Sequence, residues 1–159
     1  EDAKKFLADK GVEVVEKTGT TTDEVNQAVD ALIAEKVDAI FTPTDNTIQK
    51  AELSFYEKLQ KAKIPHYGGA DSFALNGAFA GYGVDYVQLG KATADMVDEV
   101  LHGGKETATL PVQTFDNGIA TVNTDTAEKL GFSMDELKEV FKPYCTKVEE
   151  IKTNQEFAK

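Results

Sequence analysis

The sequence predicts an α/β fold: a doubly wound, mostly parallel sheet with helices on both faces. Short apolar or β-branched runs, Val12-Glu13-Val14-Val15, Ala39-Ile40-Phe41 and Ile64-Pro65-His66-Tyr67, alternate with segments of helical period, the sequence pattern of parallel βαβ units. Two of these runs open at their carboxyl ends into small polar segments, Thr42-Pro43-Thr44-Asp45-Asn46-Thr47 and Gly68-Gly69-Ala70-Asp71-Ser72. Open α/β sheets hold their ligands there. A chain of 159 residues that is 41% hydrophobic can bury one ordinary core. It reads as a single lobe over residues 1–145, followed by a charged tail over 146–159.

Asp2 to Lys10 has the pattern of a helix that stops at Gly11, a residue free to take the left-handed C-cap conformation. Val12 to Val15 then reads as a strand, and Thr18 to Thr22 as the loop after it. Thr21 and Glu24 stand at capping-box spacing ahead of Val25, Ala28, Val29, Leu32 and Ile33, one apolar helical stripe. The strand at Ala39-Ile40-Phe41 ends at Pro43, and Thr44, Asp45 or Asn46 can cap a helix that buries Ile48, Ala51, Phe55 and Leu59.

After the strand at Ile64 to Tyr67, a short helical turn at Phe73 to Asn76 leads through Ala78-Phe79-Ala80 to a third loop, Gly81-Tyr82-Gly83-Val84-Asp85-Tyr86. Leu89, Ala92, Met96, Val97 and Val100 mark the next helix, closed by Gly103-Gly104. Pro111 to Phe115 and Ile119 to Val122, around Asp116-Asn117-Gly118, carry a hairpin signal. Two short helices follow, Thr124 to Lys129 and one capped by Ser133 with Glu136 three residues on. The tail from Thr146 is expected to be a helix packed through Val148, Ile151 and Phe157.

The formal net charge of −11, from 28 acidic and 17 basic residues, repels phosphate backbones and anionic membrane surfaces. Nucleic acid is therefore not an expected partner. Cys145 is the single cysteine, and no histidine or cysteine stands at zinc-ligand spacing, which argues against disulfide and metal scaffolds. No apolar run approaches the roughly 18 residues of a membrane span, and the opening Glu1-Asp2-Ala3-Lys4-Lys5 is not a secretion signal. The chain opens without Met and inside a helical pattern, so it is expected to be a piece of a longer protein.

Enzyme motifs are missing. Val12 to Thr22 offers one glycine where a dinucleotide site needs three, and there is neither a P-loop nor a nucleophile elbow. His66 and His102 are the two histidines, and neither has a nucleophile and a carboxylate beside it in sequence. Thr44, Asp45 and Asn46, with Ala70, Asp71 and Ser72, remain as site candidates. Asp45 and Asp71 suit either a carboxylate pair or a binder that holds an ammonium group, and helix capping alone also accounts for Asp45. Tyr67, Tyr82 and Tyr86 are candidates for aromatic walls or for ordinary rim and core. No catalytic residue, metal or cofactor is assigned.

From about Gly11 to Leu130 the order of segments resembles the solute-binding proteins of bacterial ABC transporters, in the group with a type I periplasmic-binding fold that includes tryptophan and tyrosine binders. The resemblance is carried by Val37 to Thr47, Ile64-Pro65, Gly77-Ala78, Gly83-Val84-Asp85-Tyr86 with Leu89-Gly90, Leu101 with Gly103, Leu110-Pro111-Val112, and Asn123 with Ala127 and Leu130-Gly131. It implies a two-lobed extracytoplasmic protein, periplasmic or lipid-anchored, that closes on an amino acid and presents it to a membrane permease. This chain resembles the C-terminal lobe, with that lobe's first strand and the whole N-terminal lobe lying before Glu1.

By that likeness Thr44, Asp45 and Asn46 contact the solute, Asp45 its α-amino group, and Ala70, Asp71 and Ser72 line the opposite wall. The chain has no tryptophan, so a stacking wall for an aromatic solute falls to Tyr67, Tyr82 or Phe73, or to the other lobe. By the same likeness the helix from Leu89 to Val100 belongs against that lobe, and without it self-association or an unusual placement of residues 86 to 103 is expected. Two rival readings share the fold: the effector domain of a transcription regulator, which needs a helix-turn-helix upstream, and a doubly wound enzyme using Asp45 or Asp71 as a base.

Overall fold

The computed structural model describes residues 2–114 and 118–154. Among them the helices are α1 (Asp2–Asp9), α2 (Thr22–Glu35), α3 (Asn46–Ala62), α4 (Asp71–Leu75), α5 (Tyr86–Leu101), α6 (Thr124–Leu130) and α7 (Met134–Phe141). The strands β1 (Ile40–Thr42), β2 (His66–Gly68), β3 (Ala80–Val84), β4 (Gly118–Asn123) and β5 (Lys147–Ile151) lie side by side in that order. β1, β2 and β3 are parallel, β4 runs antiparallel to β3, and β5 is parallel to β4. The carboxyl ends of the first three strands therefore share one rim with the starts of the last two.

Side chains alternate across the sheet as the strand period requires. On one face Val25 and Val29 of α2 and Ala51, Phe55 and Leu59 of α3 enclose Ile40 and Ile64. On the other, Phe79, Ala80 and Val122 meet Ala127 of α6 and Leu137 of α7, with Tyr67, Phe141 and Val148 at the margin. A third cluster, Ala70, Phe73 and Ala78, seats α4 beside the rim. Phe55 and Phe73 are essentially inaccessible, and truncating such a ring to alanine costs about 3–5 kcal/mol.

The helix starts follow local chemistry. Thr21 Oγ1 accepts the Glu24 N–H at 3.2 Å, while the Glu24 carboxylate reaches one residue further back, to the N–H and hydroxyl of Thr20. The capping box is thus shifted by one residue. Ser133 occupies the N-cap of α7 but makes no side-chain cap bond.

Four expectations change. Val12 to Val15 forms no strand: Val12 bonds back to the Leu7 carbonyl, and β-branched residues without a neighbouring ladder stay extended coil. The third loop is mostly β3, because residues 80–84 pair with β4 and residues 80–81 also with β2. The second strand of the expected hairpin finds its antiparallel partner in β3 and a parallel one in β5, which leaves it no free edge for residues 111–114; residues 115–117 of that signal lie outside the described residues. The tail is not a helix over 147–151. There it is β5, because the outer edge of β4 offers unpaired backbone groups that a strand satisfies and a helix cannot. The sheet thus continues past residue 145, and Phe157 lies outside the described residues.

Candidate functional site

Each of the three parallel strands hands over to a helix that has an aspartate at its N-cap or first residue. Asp45 caps α3: its Oδ1 accepts the N–H groups of Thr47 at 2.8 Å and Ile48 at 2.9 Å. Asp71 opens α4 and its Oδ1 accepts the Ser72 N–H at 2.8 Å. Asp85 caps α5 through Val87 and Gln88, both at 3.0 Å. In each case a negative charge meets the positive end of a helix.

The first two loops are fastened to each other. The Gly69 N–H donates to the Thr42 carbonyl at 3.0 Å, and the Thr44 hydroxyl donates to the Gly69 carbonyl at 2.8 Å. A Cβ at Gly69 would stand 2.8 Å from both the N and Oγ1 of Thr44, so the approach requires glycine. A Cβ at Gly81 would come closer still to the Ala70 carbonyl oxygen, so the second loop lies tight against β3.

Of the six residues picked out in the sequence, Thr44, Asp45, Asn46 and Asp71 are exposed on this rim and Ser72 is half-buried. Ala70 is buried against Phe73 and Ala78, so its side chain packs the base of the loop. The aromatic candidates divide. Phe73 is core, and Tyr67 sits edge-on to Phe79 on the far face, where burial pushes its phenol up. Tyr82 and Tyr86 stay exposed at the rim.

Two rim residues escaped the sequence reading. Asp85 stands immediately before the first residue of α5, and an aspartate there is an N-cap signal. Lys147 opens β5; its hydrogen bond to Glu149 at 2.6 Å, with that carboxylate's charge, raises the ammonium's pKa, and Asp85 adds to the effect. Nothing in the sequence around Lys147 announces its place, because only the ladder between β4 and β5 puts it there.

The fold also assembles what the sequence kept apart around His66. Its Nδ1 lies 2.9 Å from Glu52 Oε1 and its Nε2 lies 2.8 Å from Thr42 Oγ1. That is the acid, imidazole and hydroxyl order of a nucleophilic triad. All three are buried, so no substrate atom reaches the hydroxyl, and the arrangement is internal to the fold. Burial raises the Glu52 carboxyl above its usual range, an effect His66 partly offsets.

Comparison with known proteins identifies the family. The family model described as ABC transporter substrate binding protein matches residues 1–142. The chain belongs to that family. It is 36% identical over 118 residues to a tyrosine-binding protein of Clostridioides difficile, covering 74% of this chain and 34% of the relative. Among solved structures it is similar to a ligand-free, open substrate binding protein with adhesive properties from Clostridium difficile, with a TM-score of 0.78 and 28% identity over 96% of this chain and 48% of that one. A conserved domain protein from Vibrio cholerae gives 0.70 and 34%, over 92% and 48%. A Streptococcus pneumonia ABC domain in complex with L-Trp gives 0.72 and 29%, over 92% and 49%. The chain of this substrate-binding family member thus spans about a third of the curated relative and about half of the solved chains.

Proposed function

We propose that this chain is the C-terminal lobe of an extracytoplasmic ABC importer component that binds an amino acid with an aromatic side chain. The observation that carries the reading is the rim itself: three aspartate-bearing helix starts at the carboxyl ends of three parallel strands, two of them locked together through Thr44 and Gly69. Asp45 uses Oδ1 for its cap, and Oδ2 takes no hydrogen bond from the described residues. That oxygen is available to an α-ammonium group, a charge-assisted pairing of the stronger kind. Thr44, Asn46, Asp71 and Ser72 supply further polar contacts, Ala70 sets the height of the second loop, and Tyr82 and Tyr86 offer ring faces.

The tyrosine-binding relative and the L-Trp complex support an aromatic amino acid as the solute. A second lobe closes the cleft from the opposite side, and the exposed stripe of α5 meets it. Closure delivers the solute to a permease. No helix among the described residues is long and apolar enough to cross a membrane. Calorimetric titration of the full-length protein with L-tyrosine and L-tryptophan tests the proposal. Micromolar binding of either, with glycine inert, is the expected result; no heat with any amino acid would sink it.

A further inference from the structure

The buried Glu52, His66 and Thr42 side chains have no part in the solute contacts proposed above. A structural role alone does not call for them: apolar residues of similar volume commonly replace a buried ionisable pair at no loss. Glu52 is completely buried on α3 and its Oε2 has no hydrogen-bond partner among the described residues. The imidazole is wedged between Phe55, at 5.8 Å between ring centroids, and Phe73, at 5.9 Å and nearly perpendicular. It cannot swing away, so whatever proton it carries is presented to Glu52 on one side and to Thr42 on the other.

Thr42 is the last residue of β1. His66 pairs with Ile40 in the ladder and Thr42 with Gly68, so the His66 to Thr42 bond runs diagonally across the two strands whose ends carry the site. From Thr42 the hydrogen bonds continue through its carbonyl to the Gly69 N–H and from the Gly69 carbonyl to the Thr44 hydroxyl. An unbroken line of contacts leads from a buried acid to a rim residue.

We infer that Glu52, His66 and Thr42 form a positioning chain for the solute site, in which the proton state of the Glu52 and His66 pair sets the spacing of the two loops and hence solute affinity. The inference rests on the transport reading and adds regulation by pH to it. The chemistry is that of imidazole. A cationic ring donates from both nitrogens, so Thr42 Oγ1 accepts; a neutral ring that donates to Glu52 from Nδ1 accepts at Nε2, so the Thr42 hydroxyl donates. One proton reverses the bond at the foot of the β1 loop.

The surroundings leave few other groups to do this. From α3, Tyr56 bonds through its hydroxyl to Glu57, and the Gln60 amide spans Thr126 Oγ1 at 2.7 Å and Lys129 Nζ at 2.9 Å. Lys129 of α6 and Glu57 of α3 are the charged groups bonded to these side chains. From α4 comes Phe73, from β1 Thr42 and from the residue before β3 Phe79, none of which titrates.

The test uses the full-length protein, with L-tyrosine and L-tryptophan as probes, from about pH 5 to about pH 9. Wild-type affinity is expected to change through one inflection. Thr42→Val removes the hydroxyl at nearly constant shape, and is expected to weaken binding about fivefold, the worth of one ordinary hydrogen bond, and to flatten the profile. Glu52→Gln takes the carboxyl out of the pair and is expected to displace the inflection. Affinity profiles of both variants superimposable on the wild type would overturn the inference. If Glu52→Gln fails to fold, Thr42→Val decides. If no probe binds wild type, the transport reading fails, and hydrogen exchange at the Gly69 amide decides the positioning chain by itself. Protection that varies with pH beyond the intrinsic rate in wild type, and is constant in Thr42→Val, sustains it. Equal protection in both proteins at every pH overturns it.

Discussion

The Thr44 hydroxyl donates to the Gly69 carbonyl over 2.8 Å, and this bond makes the ends of β1 and β2 a single surface. Its counterpart is steric: a methyl at Gly69 would press on the backbone of Thr44. Gly69→Ala is therefore expected to cost about 1–3 kcal/mol of stability, the usual penalty for overpacking. Gly90→Ala is the matched control. Gly90 lies in α5 with open space where its Cβ would go, so alanine there is expected to gain about 1 kcal/mol from helix propensity. Urea unfolding of both variants checks the two signs.

Asp45 holds a helix end, and on the reading proposed here it also holds a solute. The roles separate chemically, because asparagine caps a helix as well as aspartate does but carries no charge. Asp45→Asn is expected to keep the melting temperature and to lose about 1.5–3 kcal/mol of solute affinity. Asp45→Ala is expected to lose both, with about 1 kcal/mol from the cap. Calorimetry of the full-length variants measures the split; Asp45→Asn binding within about twofold of wild type leaves Asp45 a cap and nothing more.

Burial holds the Glu52 carboxyl above its ordinary value of 4.5. Between that value and the raised one the native state carries more protons than the unfolded chain, so this residue's contribution is complete at lower pH and declines as pH rises. Glu52→Gln has no such proton to lose. The melting temperature of Glu52→Gln minus that of wild type should therefore grow as pH increases above 4.5. Thermal scans across that range test the sign, and parallel curves would contradict it.

Helix α5 has no buried residue. Val87, Val97 and Leu101 are each at least half exposed, while Ala92, Met96 and Val100 are partly covered. Uncovered apolar faces tend to find a partner, and the 159-residue chain alone is expected to self-associate. Light scattering should give a mass above 17.3 kDa, and Val97→Lys with Leu101→Lys should return it to monomer. The same sample should bind tyrosine only at about millimolar concentration, since one wall buries about half of a ligand that a pocket encloses by 70–90%. A clean wild-type monomer with micromolar affinity would show a lobe complete in itself.

Much of this fold is written locally. The stripe from Val25 to Ile33, the cap at Asp45, and the glycine after Leu130 each declare an element through residues within a turn of one another. What the sequence concealed depends on distant partners. Val12 to Val15 has strand composition without a strand to pair with, and Val148 to Ile151 looked helical in a charged tail until the edge of β4 claimed it. The site divides the same way. Asp45 and Asp71 are visible because strand-end loops have a known place in such sheets. The contact of Glu52 with His66, fourteen positions apart, and the arrival of Lys147 at the rim follow only from packing.

Val84 and Gly118 face each other in the ladder between β3 and β4, so the chain leaves the sheet and re-enters it across one rung. Residues 85–114 are an excursion from that rung and contribute no strand to the sheet. Joining Val84 to Gly118 through a two-residue turn would preserve every strand neighbour and spare about 2–3 kcal/mol of loop-closure entropy. The excursion is thus an interchangeable handle. A different helix could be fitted in its place while the rim with Thr44, Asp45 and Gly69 kept its shape.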